Sequence, residues 1–115
     1  MNNEDIVELF YKHLIDESLN DYKEIYLKTE TAKVKDPYYR EAIPFFQGLS
    51  NDQQQLLFRI IKQTQIDTVS YFLGILDGTS TLDSNIEFDF TLKNQTTKLN
   101  GDLQDYFLEL VEEKE

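Results

Sequence analysis

The sequence predicts a mainly α domain of the α+β class: a small helical bundle of about five helices with one appended antiparallel β-hairpin, at about residues 86–92 and 97–100. Three observations predict it. Apolar residues recur at three- and four-residue spacing through most of the chain, the period of an amphipathic helix. Residues 86–92 switch to strict alternation, the period of a strand with one buried face. The 115 residues, 40% of them hydrophobic, are enough for one core and rarely enough for two, so residues 1–115 are read as a single domain.

The elements follow in order. Residues 4–17 read as a helix with Asn2 or Asn3 as N-cap and acids in the first turn, where the macrodipole favours them. Ile6, Leu9, Phe10 and Leu14 are its expected core face, with His13 on the same stripe. A second helix is expected over 20–32, capped by Asn20, with a stripe of Leu19, Tyr22, Ile25 and Tyr26. Asp36-Pro37 opens a third, because proline at the first helical position loses no hydrogen bond. Its face is Tyr38, Tyr39, Ala42, Phe45 and Phe46; Pro44 is expected to kink or end it.

Ser50 followed by Gln53 is a capping box, the most explicit helix start in the chain. This element reaches Asp77-Gly78. Leu57, Phe58, Ile61, Val69, Phe72, Ile75 and Leu76 fall on one broad side and Arg59, Gln63, Ser70, Gly74 and Asp77 on the other. Thr64, Gln65 and Thr68 project into the apolar arc. Three readings stay open for them, in this order: a break between two shorter helices, a hydrogen-bonded interior patch, or a ligand-facing surface. After a loop at 77–85, Ile86, Phe88, Phe90 and Leu92 alternate with polar residues. Pairing Phe90 with Leu99 and Leu92 with Thr97 around Asn94-Gln95 would match the buried faces of a hairpin lying on the long and last helices. The last helix carries Leu103, Tyr106, Phe107, Leu110 and Val111, and its trailing acids oppose the macrodipole, which weakens the final turn.

Composition excludes much chemistry. The chain has no cysteine and one histidine, so disulfides, thiolate metal sites, a cysteine nucleophile and multi-histidine metal sites are ruled out. No serine sits in a Gly-x-Ser-x-Gly elbow, and the four glycines make no phosphate-binding loop. The alternating Asp83, Asn85, Glu87 and Asp89 lack the glycine and closing glutamate of a calcium loop. No cofactor or metal, and no catalytic residue, is therefore expected. Without a basic leader or a long apolar run, the chain reads as cytoplasmic.

The net charge is −11, concentrated at the ends: −4 over residues 1–20 and −5 over 101–115. Such a field repels phosphate backbones and anionic membranes and speeds encounter with a basic protein. The expected function is a non-catalytic acidic protein-interaction domain. Its short, acidic, helical build is shared in a general way with immunity and antitoxin-like inhibitors, which implies a toxin or nuclease with a basic site as the partner. The expected contact residues are Asp102, Asp105, Tyr106, Glu109, Glu112 and Glu113. A second patch, Lys33, Lys35, Tyr38, Tyr39 and Arg40, is the one locally basic and aromatic segment. Two other functions compete: a homodimeric structural or regulatory domain, and a small ligand-binding domain or enzyme built on Thr64, Gln65 and Thr68.

Overall fold

The computed structural model describes residues 1–83 and 85–115. Helix α1 (Asn3–Tyr11) passes through a π-helical segment (Lys12–Glu17) into α2 (Ser18–Lys28). A short 3₁₀ turn (Thr31–Lys33) leads to α3 (Pro37–Gln47), then α4 (Asn51–Asp77) and α5 (Leu103–Lys114). The helical class is as expected. Among the described residues no β-strand forms, so the hairpin is overturned. Of the loop expected at 77–85, Ser84 lies outside the described residues.

The body is elongated, 51 × 30 × 28 Å with a radius of gyration of 17.7 Å; a compact chain of this length would have about 13 Å. The elongation follows from two separate apolar clusters. One holds Val7, Tyr11, Ile15, Ile66, Leu73, Leu103 and Phe107 from α1, the π segment, α4 and α5. The other holds Tyr26, Ile43, Phe46 and Phe58 from α2, α3 and α4. Both α4 and the α1–α2 rod contribute to each cluster, so each must turn its apolar face partway along.

In the first rod that turn is made by backbone. Hydrogen bonding widens across Lys12–Glu17, which changes the angular register of α2 relative to α1. The predicted break near residue 20 is therefore absent, and Asn20 lies inside α2. The buried face of α1 is Ile6, Val7 and Tyr11, while Leu9 and Leu14 are exposed. In α4 the turn is made by side chains. Phe58 serves the α2–α3 side, whereas Ile66, Ser70, Leu73 and Gly74 are buried toward α1 and α5. Ser70 and Gly74 are thus inside and Phe72 outside, the reverse of the single-arc expectation. The helix itself is unbroken, which removes the two-helix reading of Thr64, Gln65 and Thr68. Its capping box is made, Ser50 Oγ accepting from Gln53 N at 3.2 Å, and Gly78 ends it at φ 84°. That left-handed value is one a side chain would strain.

Helix α3 starts as expected, with Asp36 Oδ1 accepting from Tyr38 N at 2.8 Å. It does not stop at Pro44. Ile43 and Phe46 on either side of the proline are fully buried, and packing of that pair outweighs the lost backbone bond. Helix α2 ends at Lys28, short of the expected residue 32, where Thr29 turns extended.

The segment expected to be a hairpin is a strap held by one side chain. Asn100 is buried; its Oδ1 accepts from Phe90 N at 2.8 Å, and its Nδ2 donates to Phe88 O at 2.7 Å and to Leu76 O at the end of α4. The amide thus takes the donor and acceptor that a neighbouring strand would need. Among the described residues one backbone bond joins the two legs, Leu99 N to Phe90 O at 2.8 Å. The Phe90–Leu99 pairing exists, but no ladder grows from it. Phe88, Phe90 and Leu92 are half-buried while Glu87, Asp89 and Thr91 are exposed; Ile86, expected on the buried face with them, is exposed too, and Phe90 stacks on Phe10 at 6.5 Å.

The same junction seats α5. Asp102, at its N-cap position, makes no capping bond. Asp77, from the last turn of α4, does so instead: its carboxylate accepts from Gly101 N at 2.6 Å and Gln104 N at 2.8 Å, giving an anion at a helix N-terminus. Gln104 then lies over Gly74, donating to Ser70 O at 3.0 Å and accepting from Thr79 Oγ1 at 3.0 Å.

Asn100→Ala is expected to lower unfolding free energy by about 2–4 kcal/mol, because three partly buried backbone groups lose their partner; a loss below about 1 kcal/mol in chemical denaturation would refute this role. A Cβ at Gly74 would lie 2.9 Å from Gln104 Nε2. Gly74→Ala should therefore gain little or nothing in the wild-type background. In a Gln104→Ala background it should stabilise by about 1 kcal/mol through helix propensity, a sign of coupling that a double-mutant cycle measures.

Candidate functional site

Helices α1 and α5 pack side by side and leave a shallow groove of about 140 Å³ lined by Glu4, Glu8, Tyr106, Glu109, Leu110 and Glu113 over Val7. Helical spacing produces the line of charge. Glu4 and Glu8 are four apart on α1, as are Glu109 and Glu113 on α5, so each pair shares a face. Among the described residues none of these four carboxylates has a cation within ion-pair distance. Lys114 Nζ, next to Glu113 in sequence, lies 5.3 Å from the ring centroid of buried Tyr11. Tyr106, half-buried, is the aromatic member of the groove.

Of the six residues expected to contact a partner, the structure brings three into this groove: Tyr106, Glu109 and Glu113. Asp102, Asp105 and Glu112 are exposed on α5 outside it. Glu4 and Glu8 join the groove without having been expected there. Their four-residue spacing is visible in the sequence, but not which helix lies against α1.

The basic-aromatic segment does not act as one patch. Lys33 pairs with Glu30 at 3.2 Å. Tyr39 turns inward, edge-on to Tyr26 at 6.2 Å, while Tyr38 is exposed and meets Tyr39 at 5.0 Å. Lys35 and Arg40 stay exposed. His13 is also exposed, its Nδ1 2.7 Å from Glu17 Oε2.

Thr64 and Thr68 are exposed and satisfy themselves, each hydroxyl donating to the carbonyl four residues back at 2.8 Å. Gln65 differs: it is half-buried and its Nε2 donates to Ser18 Oγ at 2.8 Å. Thr64 and Gln65, without Thr68, border a second and more apolar groove between α2, α3 and α4.

Burial raises the pKa of Tyr11, Tyr26 and Tyr39 above the ordinary 10.0. Tyr11 is pushed further by Asp16 and Glu115, and Tyr26 by the neighbouring Tyr38. Among the described residues no group of three or more His, Cys, Asp or Glu side chains is placed to hold a metal ion, and no helix is long and apolar enough to cross a membrane. Compared with known proteins, the chain matches no family model, no curated protein and no solved structure.

The raised tyrosines set an alkaline limit. Above about pH 10 the unfolded chain releases tyrosine protons that the folded chain retains, so stability falls as pH rises from there. A plot of Tm against pH should decline from about that point upward. Tyr26→Phe should make the decline shallower; an unchanged slope would exclude Tyr26 as a contributor.

Proposed function

We propose that the protein is a non-catalytic, cytoplasmic interaction module that captures a basic protein partner on the groove between α1 and α5, as an inhibitor covering a basic site would. The observation that carries this reading is the row of four uncompensated carboxylates around Tyr106, assembled from opposite ends of the chain. Unpaired like charges at four-residue spacing are destabilising, and Glu113 opposes the dipole of α5 at its C-terminal end. A surface that keeps such a cost is supported as a functional one. The groove's small volume suits one long cationic side chain. An arginine there would meet carboxylates on two sides and the face of Tyr106. The charge of −11 would steer the encounter.

The test compares two variants of equal charge. One neutralises Glu4, Glu8, Glu109 and Glu113 to Gln; the other neutralises Asp21 and Asp67 to Asn and Glu24 and Glu41 to Gln. Binding of a fluorescent arginine-rich peptide should weaken about tenfold or more in the groove variant and about two- to threefold in the control, and wild-type binding should fall steeply with added salt. Equal losses in both variants would reduce the effect to bulk charge and refute the groove. The groove variant should also melt a few degrees higher than wild type, since like-charge repulsion has been removed; a lower Tm contradicts the argument from cost.

A further inference from the structure

We infer that Asn100-Gly101 is a self-modification site: when the strap opens, Asn100 deamidates through attack by the main-chain nitrogen of Gly101, and the product cannot hold the strap shut again. This site lies apart from the acidic groove and does not depend on the reading given for it. Asn100 is the one asparagine of the chain followed by glycine. Glycine has no side chain to crowd its nitrogen, so in a mobile chain an Asn-Gly pair closes readily to a cyclic imide. The bond from Gly101 N to Asn100 Cγ forms, the Cγ–Nδ2 bond breaks, and Nδ2 leaves as ammonia with the proton that Gly101 N gives up. Water then opens the imide at either carbonyl and leaves aspartate or isoaspartate. The sum is asparagine plus water giving acid plus ammonia.

The closed strap withholds both reacting groups. Under attack Cγ must become tetrahedral, but the carboxamide is held flat by three bonds: Oδ1 accepts from Phe90 N, and the two Nδ2 hydrogens go to Phe88 O and Leu76 O. Gly101 N donates to Asp77 Oδ1 at 2.6 Å, so the attacking nitrogen would take on negative charge beside an anion. Asn100 is only 8% exposed, which limits access of water. The strap belongs to the readily opened part of the fold, because among the described residues one backbone bond joins its legs and Glu87, Asp89 and Thr91 are exposed. Conversion is one-way. Aspartate at position 100 turns a carboxylate oxygen toward Phe88 O and Leu76 O, acceptor against acceptor, and sets a second anion near Asp77; isoaspartate also lengthens the main chain at the entry to α5.

The test holds the full chain in mildly alkaline buffer and reads conversion at Asn100 by peptide mass spectrometry, as the exchange of NH for O. Conversion should be about tenfold or more slower in the folded protein than in denaturant. At each denaturant concentration below the unfolding midpoint, it should follow hydrogen exchange at the Phe90 amide. Asp77→Ala, checked for folding by circular dichroism, should convert about tenfold faster than wild type; if that variant does not fold, the denaturant series on wild type decides. Asn100→Asp, and converted protein isolated by ion exchange, should both melt below wild type. Absence of conversion in denaturant, equal rates folded and denatured, or rates that depart from Phe90 exchange would each overturn the assignment. So would conversion no faster in a folded Asp77→Ala, which would make that carboxylate a base rather than a restraint, or converted protein that melts with wild type.

Discussion

One constraint shapes the whole molecule: two long helical rods must each serve two apolar clusters that lie on different sides. A rigid α-helix presents a single stripe, so a rod that feeds two cores must change its stripe along the way. The α1–α2 rod does so by widening its backbone across Lys12–Glu17. Helix α4 keeps regular geometry and moves its apolar residues around the cylinder, from Phe58 to Leu73 and Gly74. The rods meet where both changes occur, and there Gln65 donates to Ser18. A polar contact belongs at that point because neither cluster reaches it. The elongated shape, the unsatisfied Gln65 oxygen and the second groove beside it all stem from this crossing.

The second organising feature is the polar junction at the end of α4. Three backbone groups there and at the strap converge on Asn100, two at the start of α5 converge on Asp77, and Gln104 rests over Gly74. Asn100 replaces backbone partners that a sheet would provide, and Asp77 serves amides that the start of a helix leaves without one. The consequence reaches the acidic groove. Helix α5 can hold Tyr106, Glu109 and Glu113 against α1 because its first turn is fixed to α4 through Asp77. Charge at the groove and hydrogen bonding at the junction are therefore parts of one arrangement, within about two and a half helical turns of each other along α5.

The two grooves differ in physical character. The one between α1 and α5 is small and anionic, with Glu113 kept where the helix dipole disfavours it. The one between α2, α3 and α4 is larger, uncharged and aromatic. The first suits long-range attraction of a cation, which salt screens; the second suits contact burial, which it does not.

Several helix boundaries were legible in the sequence because they depend on neighbours within a few residues. Ser50 with Gln53, Asp36 with Pro37, and Gly78 after Asp77 each marked its boundary. The alternation at Phe88, Phe90 and Leu92 was legible too, as a pattern of half-burial. What tertiary structure alone decided were the choices that depend on a distant partner. Whether the alternating segment would find a strand or a side chain depended on Asn100, and a single amide there pre-empts the ladder. Which side of α4 at Ser70 and Gly74 is inside depended on Gln104, thirty-four residues from Ser70, needing a position without a side chain. Which acids would stand together depended on α5 lying against α1. Local pattern reports how a segment folds on itself; the faces that meet are set by packing between segments, and that information is spread across the whole chain.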